Sequence, residues 1–184
     1  NLYTNLGVLE DARIEVESNS MIAKRIIEPT GEGAIVVNSA YLPPTTGEMD
    51  SWWDLPYMRA PHPRYNGKGT IPAWEMIKHS INIHRGCFGG CSFCTISAHQ
   101  GKFISSRSEE SILKEAEQIA HMPDFKGYLS DIGGPSANMY RMQGKDLSIC
   151  KKCKRYSCIH PSICKNLDNN HEHLLNLYQK VRLL

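Results

Sequence analysis

Cysteine is absent from the first 86 residues of this 184-residue chain, and no stretch approaches the ~20 consecutive apolar residues of a membrane span. Net charge is scarce: 21 Lys and Arg against 19 Asp and Glu leave +2, so charge alone does not make the molecule a polyanion binder. The opening Asn1-Leu2-Tyr3-Thr4-Asn5 has neither the basic start nor the apolar core of a signal peptide. It does not begin with Met, as expected of a piece of a longer chain. The hydrophobic share of 41% and charged share of 22% are those of an ordinary globular protein. The length suffices for one modest core, or one core and a small metal module.

All seven cysteines fall in two clusters, 87–94 and 150–164. An odd count without an export signal argues against a disulfide framework. It points to a reducing, cytoplasmic setting with metal-binding thiols.

Before the first cluster, the chain reads as follows. Residues 1–28 are expected to be helical, with Ile22, Ile26 and Ile27 on one side and Pro29 ending the element. Ala34-Ile35-Val36-Val37 is a β-branched run expected to be a buried strand. Residues 41–72 carry six prolines among Trp52, Trp53, Tyr57 and Tyr65. They read as an extended connector packed on the surface, rather than a regular element or a flap over a site. Residues 73–78 could form one helical turn.

Residues 80–132 read as a strand–helix–strand unit, with strands at 80–84 and 127–132. The helix starts at the N-cap Ser108, with Glu109 and Glu110 in its first turn and Ile112, Leu113, Ala116, Ile119 and Ala120 as its apolar stripe. A parallel pair requires such a crossover, and α/β folds place ligands at the carboxyl ends of parallel strands. The cysteine loop after the first strand and Gly133-Gly134-Pro135 after the second then share that edge. The tail 174–184 has helical periodicity.

The first cluster, Cys87, Cys91 and Cys94, has the spacing C-x3-C-x2-C in a glycine-rich turn. Structural zinc takes four protein ligands, for which His84 and His99 are the nearest candidates to complete the set. A ferredoxin-type cluster prefers C-x2-C-x2-C and a fourth cysteine. Three thiolates can instead hold three irons of a [4Fe-4S] cluster and leave the fourth iron to the amine and carboxylate of S-adenosylmethionine. One electron then cleaves the sulfonium and yields an adenosyl radical that abstracts hydrogen. Arg85 and Lys102 read first as solvated surface charges and second as groups that neutralise cluster charge.

The second cluster, Cys150, Cys153, Cys158 and Cys164, runs C-x2-C-x4-C-x5-C, and Lys151, Lys152, Lys154 and Arg155 stand among the thiols. Zinc and a second iron–sulfur cluster both fit it. His160 is a spare nitrogen ligand, read first as a surface histidine. Basic knuckles can touch nucleic acid, but with only Tyr156 as an aromatic platform that partner is not expected.

C-x3-C-x-aromatic-C after a strand is the signature shared by radical SAM enzymes, and Cys87, Cys91, Phe93 and Cys94 match it. The longer strings 83–94, 98–102, 106–112 and 125–135, with the Pro-rich 54–72 lead-in, resemble the YgiQ-type (UPF0313-like) radical SAM family. The resemblance implies an α/β fold, namely a fragment of a radical SAM partial (β/α) barrel. It implies a [4Fe-4S] cluster on Cys87, Cys91 and Cys94, with Phe93 beside the adenine of S-adenosylmethionine and Gly133-Gly134 meeting its methionine amino group. Pro135 stands where the family usually has an acidic residue, with Asp131 as a possible stand-in. The resemblance also implies an electron donor of flavodoxin or ferredoxin type and a substrate the sequence does not name. The expected organisation is an N-terminal region at 1–79, the start of the radical SAM core at 80–149, and a four-cysteine metal-binding insertion with its following helix at 150–184. One strand–helix–strand unit is a fraction of a ~250-residue barrel, so this piece alone is expected to be inactive. The competing expectation is a zinc-stabilised binding module without catalysis.

Overall fold

The computed structural model describes residues 19–38, 41–135 and 137–184. The helix expected over 1–28 lies mostly outside them. Its described end is a turn at Ser20–Ile22 followed by strand β1, Ile26–Thr30. This strand pairs antiparallel with β2, Gly33–Val37, in the register Ile26↔Val37 to Thr30↔Gly33. Both runs are β-branched and so stiff at χ1. Gly31 turns the chain at φ +56°, and Pro29 sits in a two-stranded ribbon where every strand is an edge. Cross-strand pairing therefore overrides the helical spacing of three isoleucines. The second strand is where the sequence placed it but is not buried: all five of its residues are exposed.

The 41–72 stretch holds more regular structure than its prolines suggest. Helix α1, Thr46–Trp53, is fixed by a capping box. Thr45 Oγ1 accepts from the Glu48 N–H, and Glu48 Oε2 accepts from the Thr45 N–H at 2.8 Å. A single 3-10 turn follows at Pro63–Tyr65, and helix α2 spans Pro72–Ile77, matching the helical turn expected there.

The expected first strand is two short ones. β3, Ser80–Asn82, is parallel to a later strand, and β4, His84–Arg85, pairs antiparallel with β5, Ser105–Ser106. Ile83 is the pivot between the sheets. Its N–H donates to Gly133 O at 2.8 Å, and its carbonyl accepts from the Arg107 N–H at 3.0 Å. Between β4 and β5 lie the cysteine loop and a four-residue helix, α3, Ile96–His99.

Helix α4, Glu109–Ala120, begins where the sequence placed it, with Ser108 Oγ accepting from the Ser111 N–H. Ile112, Ala116 and Ile119 are its buried stripe, whereas Leu113 is half-buried and Ala120 is exposed. The second parallel strand, β6, is Asp131–Gly133, displaced toward the C-terminus from the expected 127–132. Its register, Ser80↔Asp131 to Asn82↔Gly133, sets Ile132 opposite Ile81, while Phe125 and Leu129 pack on the core from the loop. A mixed α/β architecture results, with α4 as the crossover between β3 and β6.

After β6 come β7, Gln143–Gly144, the short helix α5, Leu147–Lys151, and β8, Leu167–Asp168, antiparallel to β7. Helix α6, Glu172–Val181, confirms the periodicity of the tail. It buries Leu174 and Leu177 against Ile81, Ile83, Ile112 and Ile119 in the main core. Tyr178 Oη donates to Ile132 O at 2.8 Å, tying α6 to β6. A second core gathers Cys87, Phe88, Met139, Met142 and Leu167, with Cys158 and Cys164 at its margin. Residues from both cysteine clusters therefore share one apolar nucleus. No helix among the described residues is long and apolar enough to cross a membrane.

Candidate metal centre and the glycine turn

The cysteine loop leaves β4 at Arg85, and the turn that leaves β6 at Gly133 comes against the neighbouring His84. Gly86 adopts φ +91°, and a Cβ there would fall 2.1 Å from Phe103 O, so only glycine lets the loop start against the 101–103 backbone. Gly89 sits between two thiols: a Cβ there would lie 3.3 Å from Cys87 Sγ and 3.7 Å from Cys91 Sγ. The Gly89 N–H donates to Cys87 Sγ at 3.4 Å. The Cys94 N–H donates to Cys91 O, closing the turn. Cys87 is buried, Cys94 half-buried and Cys91 exposed, so the thiols run from the core to the surface. Phe93 is 89% exposed beside them.

On the facing side, Gly134 lies directly over the imidazole of His84. A Cβ on Gly134 would fall 2.0 Å from His84 Nε2. At Gly133 it would meet Asn138 Oδ1 at 2.8 Å and Asp131 Oδ1 at 3.1 Å. Gly134 is thus required by packing against the buried ring, while Gly133 is itself buried. His84, weighed from sequence only as a fourth zinc ligand, is fully buried, and its Nε2 accepts from the Met139 N–H at 3.1 Å. Its Nδ1 is sealed from water with no acceptor in hydrogen-bonding geometry. Burial pushes its pKa down, and the backbone at Arg85 and Ala137 offsets part of that.

The ring is therefore neutral in the fold, while an unfolded histidine protonates near its ordinary value of about 6.5. Below that value the unfolded state binds a proton the folded ring refuses. Stability from this group is present at neutral pH and falls as pH drops through ~6.5 toward the folded pKa, by at most about 1.4 kcal/mol per pH unit. Urea denaturation between pH ~7.5 and ~5.5 should show a steeper acid loss for the native chain than for His84→Gln. Equal slopes would mean that the ring titrates normally.

The four later cysteines line one cavity of about 60 Å³ together with Phe88 and Lys102. Cys158 and Cys150 have their pKa values raised, by burial before any other cause, while Lys102 pulls each down. Lys102 is itself buried and donates from Nζ to Arg155 O at 2.8 Å. It therefore serves the second cluster's backbone and is not a solvated surface charge. Arg85 is half-buried and His160 exposed. None of the seven cysteines is in a disulfide, and among the described residues no three His, Cys, Asp or Glu side chains stand close enough as placed to hold a metal ion. Asp131 is exposed on β6, and Pro135 follows the glycine pair.

Residues 8–80 match the radical SAM N-terminal family. The chain is 62% identical to a UPF0313 protein of Porphyromonas gingivalis over 98% of its own length and 30% of that relative. It is 61% identical to one from Bacteroides thetaiotaomicron over 91% of this chain and 27% of the relative. A UPF0313 protein of Chromobacterium violaceum is 51% identical over 93% of the chain and 23% of its own length. No solved structure matches. What these matches define first is a class, radical SAM proteins. Within it, the chain belongs to the UPF0313 family and spans less than a third of the length of the relatives it matches.

Proposed function

We propose that the full-length protein is a radical SAM enzyme, that Cys87, Cys91 and Cys94 hold its [4Fe-4S] cluster, and that the Gly133-Gly134 turn receives S-adenosylmethionine. One observation carries this reading. The C-x3-C-x2-C loop follows directly on β3 and β4, and the Gly-Gly turn ends β6, the parallel neighbour of β3. When bound, the cluster supplies the electron that splits the sulfonium's sulfur–carbon bond. The chain's own part is to aim and enclose. Gly89 leaves room between the Cys87 and Cys91 sulfurs, and its N–H donates to Cys87 Sγ. His84 sets the height of the Gly134 backbone and, through Met139, the path of the chain beyond it. Phe93 stands exposed, ready to cover the adenine of S-adenosylmethionine.

Within this reading, β3, α4 and β6 are the opening unit of a partial (β/α) barrel. An apolar groove of about 660 Å³, lined by Phe125, Leu129, Ile132, Tyr178 and Val181, is where later strand–helix repeats pack. The electron comes from a flavodoxin- or ferredoxin-type donor in the cytoplasm, and this part of the chain does not turn over alone.

The test uses the full-length protein, reconstituted anaerobically with iron and sulfide. Dithionite and S-adenosylmethionine should yield 5′-deoxyadenosine, and Cys91→Ala should lose both iron and product. A full-length protein that holds its cluster and forms no 5′-deoxyadenosine rejects the proposal.

A further inference from the structure

The second cysteine group shows how it is used through what surrounds it. We propose that Cys150, Cys153, Cys158 and Cys164 bind one structural zinc ion, and that the resulting knuckle clamps the Cys87–Cys94 loop in place. The site goes beyond the radical SAM reading and does not depend on it.

Four thiols are the donor set of a closed structural zinc site, and all four border one small cavity. The backbone is already folded as a knuckle. The Cys153 N–H donates to Cys150 O at 3.1 Å, and the Arg155 N–H points at Cys153 Sγ from 3.4 Å. Asn166 Nδ2 donates to Cys150 Sγ at 3.3 Å. Opposite it, Gly144 is bare because a Cβ would fall 2.3 Å from that sulfur. Asn19, 131 positions away from Cys150 in sequence and almost fully buried, directs its amide at the carbonyls of Cys150 and Cys153, each at 3.0 Å. Buried Lys102 fixes the carbonyl of Arg155 from the other side and brings a positive charge to a site where four thiolates on one divalent ion would leave about −2. A tetrahedron of Zn–S bonds of about 2.3 Å needs sulfurs about 3.8 Å apart. The sulfurs do not stand that close as placed, so the ion must draw them together from the rim of the cavity they share.

The clamp is equally specific. The Cys158 N–H donates to Phe88 O at 3.0 Å, and Ser157 Oγ donates to Gly89 O at 2.7 Å. Gly90, at φ +61°, lies so close beneath Tyr156 and Ser157 that a Cβ would fall 2.8 Å from Tyr156 O. The two residues that follow Cys87 are thus held by the two that end at Cys158. A d¹⁰ ion suits that task beside a redox centre, since it changes neither charge nor geometry when electrons pass.

The test is metal analysis of the anaerobically purified full-length protein. It should contain one zinc per chain besides any iron. Cobalt in its place should give the intense visible bands of tetrahedral thiolate coordination. The triple variant Cys87→Ser/Cys91→Ser/Cys94→Ser should keep the zinc without iron. Cys150→Ser/Cys153→Ser should lose the zinc, and hydrogen exchange at the amides of 88–91 should accelerate at least severalfold while α4 keeps its protection. Protein with no zinc, zinc that survives Cys150→Ser/Cys153→Ser, iron on these four cysteines, or unchanged exchange at 88–91 would each overturn the proposal. A missing cluster with zinc retained would count against the radical SAM reading alone.

Discussion

Gly134→Ala is expected to weaken S-adenosylmethionine binding by at least roughly tenfold, about 1.4 kcal/mol, and to destabilise the fold by about 1–3 kcal/mol. The new methyl carbon would fall 2.0 Å from His84 Nε2 and 2.1 Å from its Cε1, inside the ring rather than against it. The imidazole has nowhere to go, because it is fully buried and bonded to the Met139 N–H. Either the ring moves and that amide loses its acceptor, or the turn lifts away from the ligand edge. His84→Ala removes the obstacle, so the double variant should lose less than the two single losses added together. A coupling of about 0.5–3 kcal/mol is the usual range for groups in such direct contact. Urea unfolding of all four proteins, with calorimetric titration of S-adenosylmethionine into each reconstituted full-length form, decides the matter. Strict additivity would mean that the ring and the turn are independent and that His84 positions nothing.

That contact was only half legible in the sequence. The glycine pair stood out because a strand-like run ends in Gly133-Gly134-Pro135, whereas the other half, His84, reads from the sequence only as a candidate fourth zinc ligand beside the cysteines. Its role depends on register. β3 breaks at Ile83, which points the next side chain beneath a strand 50 residues later, and no local pattern encodes that. The capping box of α1 was available by contrast: Thr45 and Glu48 have the spacing of the motif, but six surrounding prolines masked it. Strand β1 was misread as helix because the spacing of Ile22, Ile26 and Ile27 fits one, although β2 was read as a strand. Only pairing with Ile35-Val36-Val37 settles the choice. Both cysteine groups were visible from spacing, but their union was not. Phe88 and Cys158 lie 70 positions apart, and Asn19, which braces the knuckle, is a lone amide with no motif around it.

Removing the carboxylate of Glu115 should have the larger effect on stability. Arg107 is 1% exposed and lies where the parallel strands meet their crossover helix. Its guanidinium pairs with Glu115, donates to Asn82 O at 2.9 Å and to Ser111 O at 2.9 Å, and stacks 5.2 Å from the Trp53 ring. Burial pushes its pKa down, and Glu115 is the leading group that opposes it. Glu115 also pairs with Arg59, whose other nitrogen donates to Ser80 O at 3.0 Å. A single carboxylate therefore bridges two cations that hold both ends of β3. Glu115→Ala leaves Arg107 charged in the interior without its paired carboxylate, a change that costs about 3–5 kcal/mol in comparable buried pairs. Arg107→Met/Glu115→Leu removes the fully buried charge and fills its space but leaves Arg59 without its carboxylate, so it should recover only part of that loss. It should not recover the position of β3, because the bonds to Asn82 O and Ser111 O are gone and the cysteine loop begins five residues after Asn82. The double variant should therefore unfold at a urea midpoint between those of Glu115→Ala and the native chain, yet release iron from the reconstituted full-length protein faster than the native form. Iron retention as good as native would mean that core packing alone, without the guanidinium, sets where the loop starts.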